Sequence, residues 1–148
     1  MKIDIKKLMD TDGVDRLPNG DYVCIINSIV DKADKECLML HYDICKGKYA
    51  GHFKELQDMY NNDYWAGVSY VSYKDSALLY FKKFVQAVQE SNPGFEFDGE
   101  NEQSLVGKLV GLTLEEKSYT KQDGNQGKRM QVTGYMPVDQ VCAGKEKA

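Results

Sequence analysis

The chain has 148 residues, a length that fits one domain and excludes a multi-domain enzyme. Apolar residues make up 42% and charged residues 28%, which excludes wholesale disorder. The net charge of −4 excludes a wholly basic surface, so any nucleic acid must meet a local patch.

The opening MKIDIKKLMD mixes charge with apolar residues and holds no apolar signal core, and no apolar run is long enough for a membrane helix. A soluble cytoplasmic protein is expected. Residues 1–16 are charge-dense and read as a flexible N-terminal arm. Leu17-Pro18-Asn19-Gly20 is a turn signal, and a first strand should run from Tyr22 to about Val30 through the apolar Val23-Cys24-Ile25-Ile26. Residues 37–45 alternate: Leu38, Leu40, Tyr42 and Ile44 share one face, and Met39, His41 and Asp43 the other. That period of two predicts a second strand with one face on the core.

Lys46 to Gly51 then reads as a glycine-bounded turn into a third short strand over roughly 52–57, with Phe53 on one side and His52 and Lys54 on the other. Residues 58–73 look irregular and are rich in aromatics. Asp75 or Ser76 is placed to cap a helix over 75–90 whose apolar stripe is Leu78, Phe81, Phe84, Val85 and Val88. Asn92-Pro93-Gly94 stops it, because proline disfavours helical geometry in the residue before it. A long strand is expected over 105–117, a polar hairpin loop over 120–127 and a last strand over 128–135, followed by a frayed tail over 143–148. This order predicts a mainly β domain over 17–142. Its expected form is a five-stranded OB-fold-like barrel with one helix between the third and fourth strands.

Enzyme signatures are missing from the sequence. It has no phosphate loop, no Gly-x-Ser-x-Gly elbow and no His-Glu-x-x-His pair. Cysteines 24, 37, 45 and 142 are not spaced as a zinc site, and the acidic run 96–102 lacks a calcium loop's ligand spacing. No catalytic residue, metal or cofactor is expected.

Charge is segregated along the chain. Residues 89–102 carry five acids and no base, whereas 117–135 carry Lys117, Lys121, Lys128 and Arg129 against Asp123 alone. Single-stranded nucleic acid needs cations that follow phosphates and flat side chains that stack on bases. The cations expected in such a site are Lys46, Lys48 and Lys54 from the second and third strands, with Lys117, Lys121, Lys128 and Arg129 from the last hairpin. The aromatics expected there are Trp65 and Tyr119. Trp65 is equally readable as the anchor of its own loop, and Tyr119 as a cross-strand packing partner. Tyr49, Tyr64, Tyr70 and Tyr73 are left unassigned between core and site.

Three patterns suggest a family: Pro18-Asn19-Gly20-x-Tyr22, Gly47-x-Tyr49-x-Gly51, and Leu105-Val106-Gly107-Lys108-x-Val110-Gly111-Leu112 before a glycine-containing hairpin. Over about residues 17–142 the chain resembles small phage and prophage proteins, some of unknown function and some assigned to single-stranded DNA binding in recombination and replication cassettes. The resemblance implies an OB-like fold, non-enzymatic DNA binding in a bacterial host cell, and a recombinase, helicase or nuclease as a partner. It carries no catalytic residues across. Many proteins that bind single strands end in an acidic tail, and Gly144-Lys145-Glu146-Lys147-Ala148 departs from that pattern. The alternative is a protein-interaction module that grips a recombinase or replisome subunit without touching DNA.

Overall fold

A computed structural model describes residues 2, 5, 17–60 and 65–145. The expected arm over 1–16 (apart from Lys2 and Ile5), Tyr64 with its loop neighbours, and residues 146–148 of the expected tail lie outside the described residues.

Five strands form one antiparallel sheet: β1 (Gly20–Lys32), β2 (Cys37–Ile44), β3 (Val68–Ser72), β4 (Leu109–Thr120) and β5 (Gln126–Met136). Their order across the sheet is β3-β2-β1-β4-β5. Helix α1 (His52–Tyr60) joins β2 to β3, α2 (Leu78–Ser91) lies between β3 and β4, and α3 (Val138–Lys145) follows β5. The protein is therefore mainly β, with three α-helices among the described residues rather than the single one expected. β3 and β5 are the edges, and the sheet is not closed into a barrel.

The β2 alternation holds. Leu38, Leu40, Tyr42 and Ile44 are all buried in the core. In β1 the register shifts between Ile26 and Ser28, a bulge that returns Ile29 to the face already used by Cys24 and Ile26. Without it, Ser28 would face the core in place of Ile29.

The third strand expected over 52–57 is instead the first part of α1. His52, Phe53 and Leu56 recur at helical rather than alternating spacing, and His52 and Phe53 are buried. A short segment with two or three apolar residues fits either period, and here the end of β2 decides. Asp43 Oδ1 accepts from the Phe53 N–H at 2.9 Å, and its Oδ2 accepts from the Lys54 N–H at 3.2 Å. The carboxylate thus satisfies two of the amides that a helix start leaves unpaired and sits at the positive end of the helix dipole. The true third strand, Val68–Ser72, lies in the region read as irregular.

The α2 helix lies where the sequence places it, but its buried residues are Phe84, Ala87, Val88 and Ser91. Phe81 and Val85 are half-buried, and Leu78 is exposed because the first turn extends beyond the core. Asn92 ends the helix: its Nδ2 donates to the Val88 carbonyl at 2.7 Å and the Leu109 carbonyl at 2.8 Å, and its Oδ1 accepts from the Leu109 N–H at 3.1 Å. One side chain therefore stops α2 and positions the first residue of β4.

The helix lies against the two edge strands and β4. The Phe84 ring is 5.2 Å from that of Tyr135 on β5, whose hydroxyl is 3.3 Å from the Ser69 hydroxyl on β3. Burial pushes the Tyr135 phenol up from its ordinary value. β4 begins at Leu109 rather than 105, since Glu102–Leu105 is a 3-10 turn and Gly107 takes φ +83°. On the outer face, α3 packs over β1 and β4. A methyl group at Gly111 would lie 2.5 Å from Val141 Cγ2, so the close approach requires glycine there.

Candidate nucleic-acid interface

The sequence-predicted site residues fall into three places. Lys117, Tyr119, Lys121, Lys128 and Arg129 belong to the β4–β5 hairpin, whose residues 117–126 are all exposed. Lys46, Lys48 and Lys54 lie at or beyond the end of β2. Trp65 stands on the segment entering β3.

The pleat decides which hairpin residues meet. Val110, Leu112 and Leu114 face the core, so Glu116, Ser118 and Thr120 continue that face, and Lys117 and Tyr119 take the other. Lys117 is directly opposite Arg129, and Tyr119 opposite Gly127. Lys117, Tyr119 and Arg129 therefore share one face. Lys128, paired across the strands with Ser118, points to the opposite one. The sequence grouped Lys128 with Arg129, although strand neighbours cannot present side chains to the same side.

The Tyr119 ring lies against Gly127, where an added methyl would come within 2.6 Å of the ring. This close approach needs the missing side chain, and it fixes the ring without burying it: Tyr119 keeps 40% of its surface. The Arg129 guanidinium carbon lies 5.4 Å from the ring centroid, a cation–π contact worth about 0.5–1 kcal/mol when exposed. Lys117 Nζ is 3.2 Å from Glu115, and Lys128 Nζ is 3.8 Å from Glu116. In both pairs the lysine is solvent-exposed, and pairs at the surface contribute little to stability, so a phosphate can replace the carboxylate at small cost. At the tip, the Lys121 N–H donates to the Asn125 carbonyl at 2.8 Å, and Gly124, at φ +88°, donates to the Lys121 carbonyl at 2.9 Å. Lys121 is therefore held on a defined turn.

Lys46 and Lys48 are exposed on the turn after β2, with Lys48 Nζ 5.5 Å from the Tyr49 centroid. Lys54 belongs to α1 rather than to a strand and pairs with Asp58 at 2.9 Å. Trp65 donates from Nε1 to the Tyr42 carbonyl at 2.9 Å and packs half-buried against the core. Gly67 accepts from the Tyr42 N–H at 2.8 Å. Trp65 is thus the anchor of its own segment.

One exposed aromatic escaped the sequence reading as a site residue. Tyr70 on β3 keeps 62% of its surface and pairs with Met39, which pairs in turn with Val30, itself 43% exposed. The three make an aromatic and apolar row across the outer face of β3, β2 and β1. The signal was there: Val68 to Ser72, just after Gly67, is a short run rich in β-branched and aromatic residues.

Among the described residues no group of three or more His, Cys, Asp or Glu could hold a metal ion, and no helix is long and apolar enough to cross a membrane. Burial pushes the Cys24 and Cys45 thiols up, and for Cys24 the proximity of Cys45 and Asp43 adds to it. No family model matches the chain, and no curated protein matches it.

Proposed function

We propose that the protein is a non-catalytic single-stranded DNA-binding protein of phage or prophage origin, acting in recombination or replication. The observation that carries this reading is the convergence of Lys117, Tyr119 and Arg129 on one exposed face of the β4–β5 hairpin. Two cations stand one step along the same face from a ring that packs on its glycine neighbour and keeps 40% of its surface exposed. That is the combination single-strand binding requires, with stacking worth about 1–3 kcal/mol per base. The outer-face row ending at Tyr70 supplies a second stacking surface. The strand order β3-β2-β1-β4-β5, with a helix between the third and fourth strands, supports an OB-like platform. The sequence resemblance to phage and prophage proteins supports the setting.

Binding of a fluorescent oligo-thymidine across a salt series tests the reading. Each phosphate contact on a single strand contributes about −0.7 to the slope of log affinity against log salt. Replacing both Lys117 and Arg129 with Ala should flatten the slope by about 1.4. An oligonucleotide that stays unbound at low salt overturns the proposal, and a partner protein then becomes the ligand to seek.

A further inference from the structure

Beyond Glu116 and Met130 the β4–β5 hairpin is a two-stranded ribbon that stands clear of the core. Residues 117–129 carry four cations against Asp123 alone. The pleat divides them, with Lys117 and Arg129 on one face and Lys128 on the other, while Lys121 belongs to the turn. A single strand stacked on the Tyr119 face leaves Lys121 and Lys128 unused. A ligand that meets all four cations must present negative charge to both faces of the ribbon at once.

The groove of a duplex has that form, with a row of phosphates along each wall. The major groove of DNA is about 12 Å wide and about 8.5 Å deep and admits a two-stranded ribbon. The corresponding groove of an RNA duplex is too narrow for side chains to read, which restricts the ligand to DNA. From the Lys117–Arg129 pair to the last pair, Thr120–Gln126, is three residue steps, about 10 Å at about 3.4 Å each. With the tip on the groove floor, Lys117, Arg129 and Lys128 therefore stand at the rim.

The tip is built to match. Lys121 and Gln122 are exposed and make no side-chain contact among the described residues. Lysine suits the acceptors of guanine, and glutamine the donor–acceptor pair of adenine. The one acid is turned to its own loop: Asp123 Oδ1 accepts from the Asn125 N–H at 2.9 Å, and its Oδ2 accepts from Asn125 Nδ2 at 3.1 Å. Gln126 Nε2 donates to Thr120 Oγ1 at 3.1 Å and ties the two strands together just below the turn.

We propose that the hairpin enters the major groove of double-stranded DNA tip first. Lys117 and Arg129 meet the phosphates of one wall, Lys128 meets those of the other, and Lys121 and Gln122 face the base edges. This binding goes beyond the single-strand reading and does not rest on it. Lys117 and Arg129 would serve either ligand, so Lys121, Gln122 and Lys128 are the residues that tell the two apart.

Fluorescence anisotropy of a labelled blunt DNA duplex across a salt series tests it. The duplex should bind at low salt. Methyl green, which occupies the major groove, should displace the protein, and netropsin, which fills the minor groove, should not. Each phosphate contact on duplex DNA contributes about −0.9 to the slope of log affinity against log salt, so Lys128→Ala should flatten the slope by about that amount. Lys121→Ala/Gln122→Ala should weaken duplex binding about fivefold or more, the value of a base contact. All three positions are exposed, and circular dichroism checks that each variant is folded. A duplex that stays unbound at low salt overturns the proposal. So does displacement by netropsin alone, or a Lys128→Ala slope equal to that of wild type. Oligo-thymidine binding decides the single-strand reading separately, so either can fail without the other.

Discussion

β1–β2 and β4–β5 are both antiparallel hairpins, yet the first is tied to its neighbours to the tip and the second runs past them. At the β1–β2 end, Glu36 takes φ +53° to close the 3-10 turn, and its carbonyl accepts from the Tyr73 N–H at 2.9 Å. The Tyr73 hydroxyl donates to Asp31 at 2.8 Å. Beyond Glu116 and Met130 the second hairpin has no core behind it and holds its tip with its own turn bonds. The first uses groups at its tip to hold its neighbours. In the second the side chains of the tip stay available for a ligand, so substitutions at packed positions and on that hairpin should separate stability from binding.

The largest effect belongs to the packed region. Phe84 is fully buried among the aromatics beneath the sheet, and Phe84→Ala should cost about 3–5 kcal/mol in chemical denaturation. Gly111→Ala comes next. The added methyl meets Val141 at 2.5 Å and the Met136 carbonyl at 2.7 Å, and overpacking of that kind costs about 1–3 kcal/mol. The unfolding midpoint should drop while the secondary structure by circular dichroism is retained.

On the protruding hairpin the balance reverses. Tyr119→Ala should weaken oligo-thymidine binding by about 1–3 kcal/mol, the value of one stacked base, with an unfolding curve close to wild type. Lys128→Ala should weaken binding less than Arg129→Ala, because Lys128 is on the opposite face. Equal losses would show that the strand wraps both faces. A Tyr119→Ala variant with unchanged affinity but lower stability would break the comparison outright.

A further expected effect is alkaline. Burial pushes the Tyr22 phenol from 10.0 up to about 12, and burial raises Tyr42 and Tyr135 as well. The folded protein prefers the protonated phenols. Their contribution is complete below the ordinary phenol value of 10.0 and is lost as pH rises beyond it. Stability followed by denaturation at successive pH values should decline above that point, and a flat profile would contradict it.

What could be read from the sequence follows the same division. β2 announced itself because Leu38, Leu40, Tyr42 and Ile44 recur at every second position and are all buried. The α2 stripe was legible for a similar reason, though Leu78 and Phe84 look alike in sequence and only the overhang separates them. The region 52–72 was misread at both ends. α1 has few apolar residues to set a period, and the five-residue β3 sits beside an aromatic segment that masks it. Both depend on partners distant in sequence: α1 on Asp43, and β3 on the β2 ladder. The candidate cations of the hairpin are legible by charge, but their division between faces needed the register of β4 on β5.

Asp43 has a consequence for how β2 finds its own register. A helix of nine residues is too short to persist alone in water, where about 12–15 are needed even in favourable sequences. α1 should therefore form only once β2 is paired. A slip of one residue in β2 would turn the carboxylate away from the helix start and bury it without the amides of Phe53 and Lys54. One side chain thus proofreads the alignment of a strand, because a misaligned chain forfeits its helix together with its core.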